Sequence, residues 1–214
     1  MVKLDIISDP VCPWCYIGKV NLFKALEAVP DHPFVIEWHP FQLDPTIPAG
    51  GMDRATYMER KFGSKEAVVK MHVPLMEHAE AAGAVINLDK ITRSPNTLDA
   101  HRLIHWAGLE QRQTLVVDRL FQAYWVEGRD IGDHEVLADI ADGAEMDASM
   151  VTRLLETDSD IADIKAREAH SREMGVNSVP TFIVANRHAV PGAQPADMWV
   201  KVIGDIMEQI EGAE

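Results

Sequence analysis

Only two cysteines occur in the 214 residues, Cys12 and Cys15. A secreted disulfide scaffold needs more of them, because in such small proteins several bridges stand in for a large core. Positive charge is scarce as well. Lys plus Arg total 20 against 34 Asp plus Glu, giving a formal charge of −14. With no basic run, the chain lacks the field that attracts phosphate backbones or anionic membrane surfaces, so neither nucleic acid nor membrane is an expected partner. Long apolar runs are missing too: no stretch approaches the ~18 residues that cross a bilayer. The first ten residues show neither an apolar h-region nor a small-residue cleavage site. A cytoplasmic protein is expected. What remains is an ordinary globular balance, 47% apolar and 25% charged, with no internal repeat or low-complexity tract. The length suits one compact domain, or a small domain carrying a sizeable insertion.

Lys3 to Ile7 reads as a short strand, stopped by Ser8-Asp9-Pro10. A helix is expected from Pro13 to about Val29, with proline in the first turn, where backbone N–H groups lack partners anyway. Phe34 to Trp38 reads as a second strand, and the Pro- and Gly-rich stretch from Pro45 to Gly51 marks a boundary. From Asp53 to Met174 the helical signals hardly stop, which predicts an all-helical subdomain. Leu115, Val116, Leu120, Phe121, Tyr124 and Trp125 form one apolar stripe there, closed by Gly128. Asp133 and Asp147 are placed to cap the helices that follow, and Pro74 is expected to kink or split its own helix. Strand character returns at Pro180 to Val184 and His188 to Val190. A last helix, Asp197 to about Ile210, sets Val200, Ile203, Ile206, Met207 and Ile210 on one face. The order is β-α-β, a long helical block, then β-β-α.

Cys12-Pro13-Trp14-Cys15 lies where the first strand ends and the first helix opens. Unpaired N–H groups and the macrodipole at a helix mouth favour negative charge, and so favour the thiolate of Cys12, the reactive form. Cys15, one turn inside, is placed to attack a mixed disulfide on Cys12 and release the other sulfur. Two rival readings stand beside this one. The cysteines could be structural thiols, or they could form a zinc site with His101 and His105, which lie four apart on one predicted helix. Later, Gly175 to Ile183 places Pro180 at the entry to a strand. That proline is either an ordinary trans residue ending a helix or a cis residue in a tight turn.

Taken in order, these features resemble the DsbA-like branch of the thioredoxin superfamily, and within it the cytoplasmic FrnE-type members. The resemblance rests on Asp9 to Gly18, on Ser94-Pro95-Asn96-Thr97 with Ala100 to Leu103, on Gly175 to Phe182, and on Pro191 to Gln194. It implies an α/β thioredoxin-like fold, discontinuous over 1–52 and 175–214, with a helical insertion subdomain at 53–174. It implies a thiol–disulfide oxidoreductase that acts on disulfide-containing proteins or small thiols, with Cys12 as nucleophile and Cys15 as resolving cysteine. Pro180 would be cis and face the sulfur pair, keeping metal out. Val179 would offer backbone hydrogen bonds to an extended substrate. Pro13 and Trp14 would tune the thiolate, and Asn96, Thr97 and His101 would line the cleft. No cofactor or metal is implied beyond the redox pair, although glutathione could serve as co-substrate. A monomer or a homodimer is equally compatible.

Some FrnE-type proteins carry further cysteines; this chain has none, which excludes a relay through a second internal pair. The related 2-hydroxychromene-2-carboxylate isomerases use serine at the first motif position together with glutathione. Cysteine at both positions points away from that role without removing it as an alternative. Among the other residues, Glu37 reads as a polar-face residue rather than a buried proton shuttle. Met71, Met76 and Met174 read as core filler, and Glu208, Glu211 and Glu214 as a solvated acidic helix end.

Overall fold

A computed structural model describes residues 1–212; Glu214 lies outside the described residues. β1 (Val2–Ser8) occupies the interior of a four-stranded sheet ordered β2-β1-β5-β6, where β2 is Phe34–Pro40, β5 is Thr181–Val184 and β6 is His188–Pro191. β1 runs parallel to β2, with Ile6 opposite Trp38, and antiparallel to β5, with Ile6 opposite Phe182. A strand flanked on both sides reads as a continuous apolar run, and Leu4, Ile6 and Ile7 are all buried. The outer edge of β2 is closed at Trp38 by a side chain: its N–H donates to Gln113 Oε1 at 2.8 Å, and Gln113 Nε2 donates back to its carbonyl at 3.1 Å. That amide completes one step of the ladder an edge strand would otherwise leave open.

α1 (Pro13–Ala28) follows β1, and α9 (Ala196–Glu211) packs beside α1. Trp199 anchors α9 to the sheet, edge-on to Phe182 with ring centroids 4.8 Å apart. The expected apolar face of this helix is therefore rotated. Trp199 and Ile203 are buried, whereas Val200 and Ile210 are exposed.

Between the two halves of the sheet run α2 (Arg54–Phe62), α3 (Lys65–Ala82), α4 (Leu98–Leu109), α5 (Gln113–Phe121), α6 (His134–Gly143), α7 (Ala148–Leu155) and α8 (Ile161–Glu173). Short polar side chains start several of them. Asp53, Ser64, Asp133 and Asp147 each accept a hydrogen bond from a first-turn N–H, satisfying donors that the helix leaves unpaired. The insertion is not purely helical. Met52–Asp53 (β3) pairs antiparallel with Arg93–Ser94 (β4), a two-residue ribbon too short to carry a period-2 pattern in the sequence. α3 also runs unsplit through Pro74. After α5 the chain widens into a π turn over 122–127 and stops at Gly128, whose φ is +76°. A Cβ there would lie 2.4 Å from the Lys90 carbonyl oxygen, so both the backbone angle and the space demand glycine. The wide turn keeps Phe121, Tyr124 and Trp125 buried together, while Leu115, expected in the same stripe, is exposed. Met76 and Met174 are likewise exposed rather than core.

Candidate active site

Cys12 is the N-cap residue of α1, with Pro13 in the first turn and no acidic side chain there to oppose a thiolate. Its backbone N–H donates to the Asp9 carbonyl at 2.9 Å, so the turn from Asp9 to Cys12 holds the cysteine at the helix mouth. Trp125, from the π turn, donates its indole N–H to the Pro10 carbonyl at 3.1 Å and fixes that turn from the insertion side. The two cysteines are free and 3.4 Å apart.

Opposite Cys12 lies the turn before β5. The Val179–Pro180 peptide bond is cis, and the Cys12 thiol donates to the Val179 carbonyl at 3.6 Å. α1 packs closely on this turn because Gly18 has no side chain. A Cβ at Gly18 would meet Pro180 Cγ at 3.1 Å and Phe182 Cζ at 3.3 Å.

The two sulfurs differ in setting. Cys12 lines a cavity of about 370 Å³, together with Pro13, Trp14, Val179 and Thr97, whereas Cys15 lies beneath it. Burial pushes the Cys15 thiol well up, and the adjoining Cys12 adds to this; hydrogen bonding from Ser8 and the Asp9 backbone only partly offsets it. Cys15 therefore holds its proton while Cys12 faces the cavity.

Not every residue expected in the cleft lines it. Asn96 is consumed in bracing the loop after β2. Its Oδ1 accepts from Gln42 Nε2 and the Leu98 N–H, both at 3.0 Å, and its Nδ2 donates to the Ile47 carbonyl at 2.7 Å. His101 is buried below the cavity wall, with Nε2 3.2 Å from the Phe41 carbonyl oxygen. Burial drives its pKa down to about 4, against the effect of that hydrogen bond. His101 and His105 do not join the cysteines: His105 Nδ1 is engaged by Arg167 at 3.0 Å. Among the described residues, the cluster within ligating distance of one another is Asp5, Glu37 and His39. Its carboxylates are already held by cations, Lys3 lying 2.9 Å from each and Arg167 3.1 Å from Glu37.

Asp9 and Arg54, for which the sequence suggests no site role, complete the cavity together with Tyr124 and Trp125 of the aromatic stripe. Asp9 is almost fully buried and accepts from the Leu43 N–H at 2.7 Å and the Val11 N–H at 3.4 Å. Burial outweighs those bonds and pushes its pKa up to about 7. Arg54 donates to Tyr124 Oη at 3.0 Å and lies 5.7 Å over the Trp125 ring. Tyr124, buried beside it, has its hydroxyl pKa pushed up to about 12 by that burial. An isolated aspartate or arginine carries no periodic signal, so only the folded chain brings these groups together.

A β-α-β unit joined through a helical insertion to β-β-α, with a CxxC pair at the mouth of α1 and a cis-proline turn facing it, is the thioredoxin-like architecture. The chain belongs to the DSBA-like thioredoxin domain family, whose model matches residues 3–204. It is 29% identical over 206 residues to the uncharacterized protein YwbO of Bacillus subtilis, covering 95% of this chain and 96% of that one. Among solved structures it is similar to a probable DsbA oxidoreductase of Streptomyces coelicolor, at 28% identity and a TM-score of 0.84 over 96% of this chain and 89% of the other. The cytosolic disulfide reductase DsbM of Pseudomonas aeruginosa, solved with GSH, shares the fold at 19% identity and a TM-score of 0.67, covering 96% of this chain and 99% of that one.

Proposed function

We propose that the protein is a thiol–disulfide oxidoreductase in which Cys12 exchanges disulfides with thiol or disulfide substrates and Cys15 resolves the mixed disulfide. The observation that carries this reading is the asymmetry of the pair: one sulfur faces a cavity at a helix mouth, and the other, 3.4 Å away, is buried behind it with its thiol pKa raised.

In the reducing direction, the Cys12 thiolate attacks one sulfur of a substrate disulfide. The first substrate thiolate leaves, and Cys12 is joined to the second. Cys15 then loses its proton and attacks Cys12, forming the Cys12–Cys15 disulfide and freeing the second thiolate. Two electrons pass from the cysteine pair to the substrate. The oxidising direction is the same sequence reversed, and the compartment's redox poise sets which one runs. Val179 and Pro180 shape the wall opposite Cys12, where the Val179 carbonyl can accept from an extended substrate. Pro13 and Trp14 line the approach, with Thr97 on the insertion side. The pair needs no further cofactor, glutathione serves as one small-thiol co-substrate, and the cytoplasm is the proposed setting.

The test is Cys12→Ser. The variant should retain the far-ultraviolet circular dichroism of the parent and lose dithiothreitol-dependent reduction of insulin. Retained turnover would remove Cys12 from the reaction.

A further inference from the structure

The shape and chemistry of the cavity beside Cys12 go beyond what thiol exchange alone requires. Cys12 is 2% exposed, so a substrate sulfur must enter the cavity to come within bonding distance of about 2 Å. α2 and α3 roof it with Met58, Phe62, Met71 and Leu75, and Trp125 lies across from them. Its volume of about 370 Å³ is at the small end of the roughly 300–1,000 Å³ seen for small-molecule pockets. A cavity of that size under that roof favours a small disulfide over a loop of a folded protein.

Within these apolar walls are polar groups that the protein leaves unsatisfied. Ser94 is 3% exposed and lines the cavity, yet its Oγ has no hydrogen-bond partner. The same holds for Nε2 of His72, which also lines it. Buried polar atoms are ordinarily paired, so orphans at a cavity wall mark where a ligand atom or a water completes the bond. Of the two cations that line the wall, Lys61 is exposed and donates to Tyr57 Oη at 2.8 Å, which leaves Arg54 as the one set within it. Arg54 is half-buried, and no carboxylate lies within ion-pair distance of it among the described residues. The two carboxyl groups in the wall are committed elsewhere: Asp9 to the Leu43 and Val11 N–H groups, and Asp44 to Thr46.

We propose that this cleft takes a small organic disulfide with an apolar, ring-sized body and a carboxylate bound by Arg54, in preference to a protein disulfide. The proposal rests on the thiol–disulfide reading above and names the substrate class for that site. Cys12 attacks one sulfur of the small disulfide and expels the first thiolate. Cys15 then displaces the second from Cys12. The substrate gains two electrons and becomes two thiolates, while the cysteine pair loses two electrons and its protons go to solvent. Dithiothreitol returns the pair to the dithiol beforehand and is then removed, because it reduces aromatic disulfides directly.

Two aromatic disulfides separate charge from size. 5,5′-Dithiobis(2-nitrobenzoate) carries a carboxylate on each ring, and 4,4′-dithiodipyridine is neutral. The rate of each with the reduced protein is divided by its rate with free 2-mercaptoethanol, and insulin is assayed alongside. A chain with a net charge of −14 repels a dianion overall, so a preference for the carboxylated disulfide must come from a local cation. The expected result is a normalised preference of about tenfold or more for the carboxylated disulfide, within the range of a charge-assisted hydrogen bond. Arg54→Gln should remove most of that preference. Equal normalised rates in the parent protein, a preference that survives Arg54→Gln, or insulin reduced faster than both would overturn the proposal. The parent comparison decides even if the variant does not fold. Failure of all three disulfides to react would instead overturn the thiol–disulfide reading itself.

Discussion

Replacing Asp9 by Asn should remove a specific contribution to the dependence of stability on pH. The Asp9 carboxyl moves from an ordinary 3.8 to about 7 on folding, chiefly because burial disfavours its ionised form. At 1.36 kcal/mol for each tenfold change in proton affinity, the folded protein disfavours the ionised carboxyl by on the order of 4 kcal/mol. Between about pH 4 and pH 7 the folded state holds a proton that the unfolded chain has released. Unfolding then releases a proton, so rising pH promotes unfolding through this group. His101 acts the other way. Its folded pKa of about 4 lies below its ordinary 6.5, so over that narrower window rising pH favours the folded state. The two groups are 3.8 Å apart and largely cancel in the parent protein. Asn keeps one of the two acceptor oxygens and cannot ionise, which isolates the Asp9 contribution. Urea unfolding at a series of pH values from 4.5 to 7.5 gives the stability of parent minus variant. That difference should fall by a few kcal/mol as pH rises. A difference that stays constant, or that grows in the parent's favour, would refute a carboxyl kept protonated by burial. It would show instead a carboxylate held ionised by the Val11 and Leu43 N–H groups.

Cys15→Ser should leave Cys12 able to attack but unable to be released, so mixed disulfides with substrate should accumulate on Cys12 and be visible by intact mass; absence of any trapped adduct would contradict the division of roles. Gly128→Ala should destabilise the fold by about 2 kcal/mol or more, because it adds a Cβ at a positive φ and against the Lys90 carbonyl. A change in urea midpoint equivalent to less than about 0.5 kcal/mol would mean that the turn relaxes freely.

Much of the fold was legible because it rests on local chemistry. Lys3 to Ile7 and Phe34 to Trp38 are short, apolar and bounded by turn residues, and both are strands. Asp133, Asp147 and Gly128 cap where their types imply. The cysteine pair was legible because a CxxC between a strand and a helix combines two independent signals. What escaped was set by tertiary contact. Trp199, rather than Val200, faces the sheet because Phe182 offers it a ring to pack on. Met52–Asp53 and Arg93–Ser94 pair across forty residues with no pattern of their own. Asn96 and His101 lie in a segment near the cleft, but the loop after β2 claims the amide of one and the Phe41 carbonyl faces the imidazole of the other. Asp9 and Arg54 gain their character only from the cavity they line.

The most direct test of the central claim is the redox equilibrium of Cys12 and Cys15 across a glutathione series, read by mass after thiol alkylation. The account predicts a single reversible two-electron transition that interconverts the dithiol and the Cys12–Cys15 disulfide and is abolished in both single-cysteine variants. Two thiols that stay reduced across the whole series, or that become glutathionylated independently without forming a bond to each other, would contradict it.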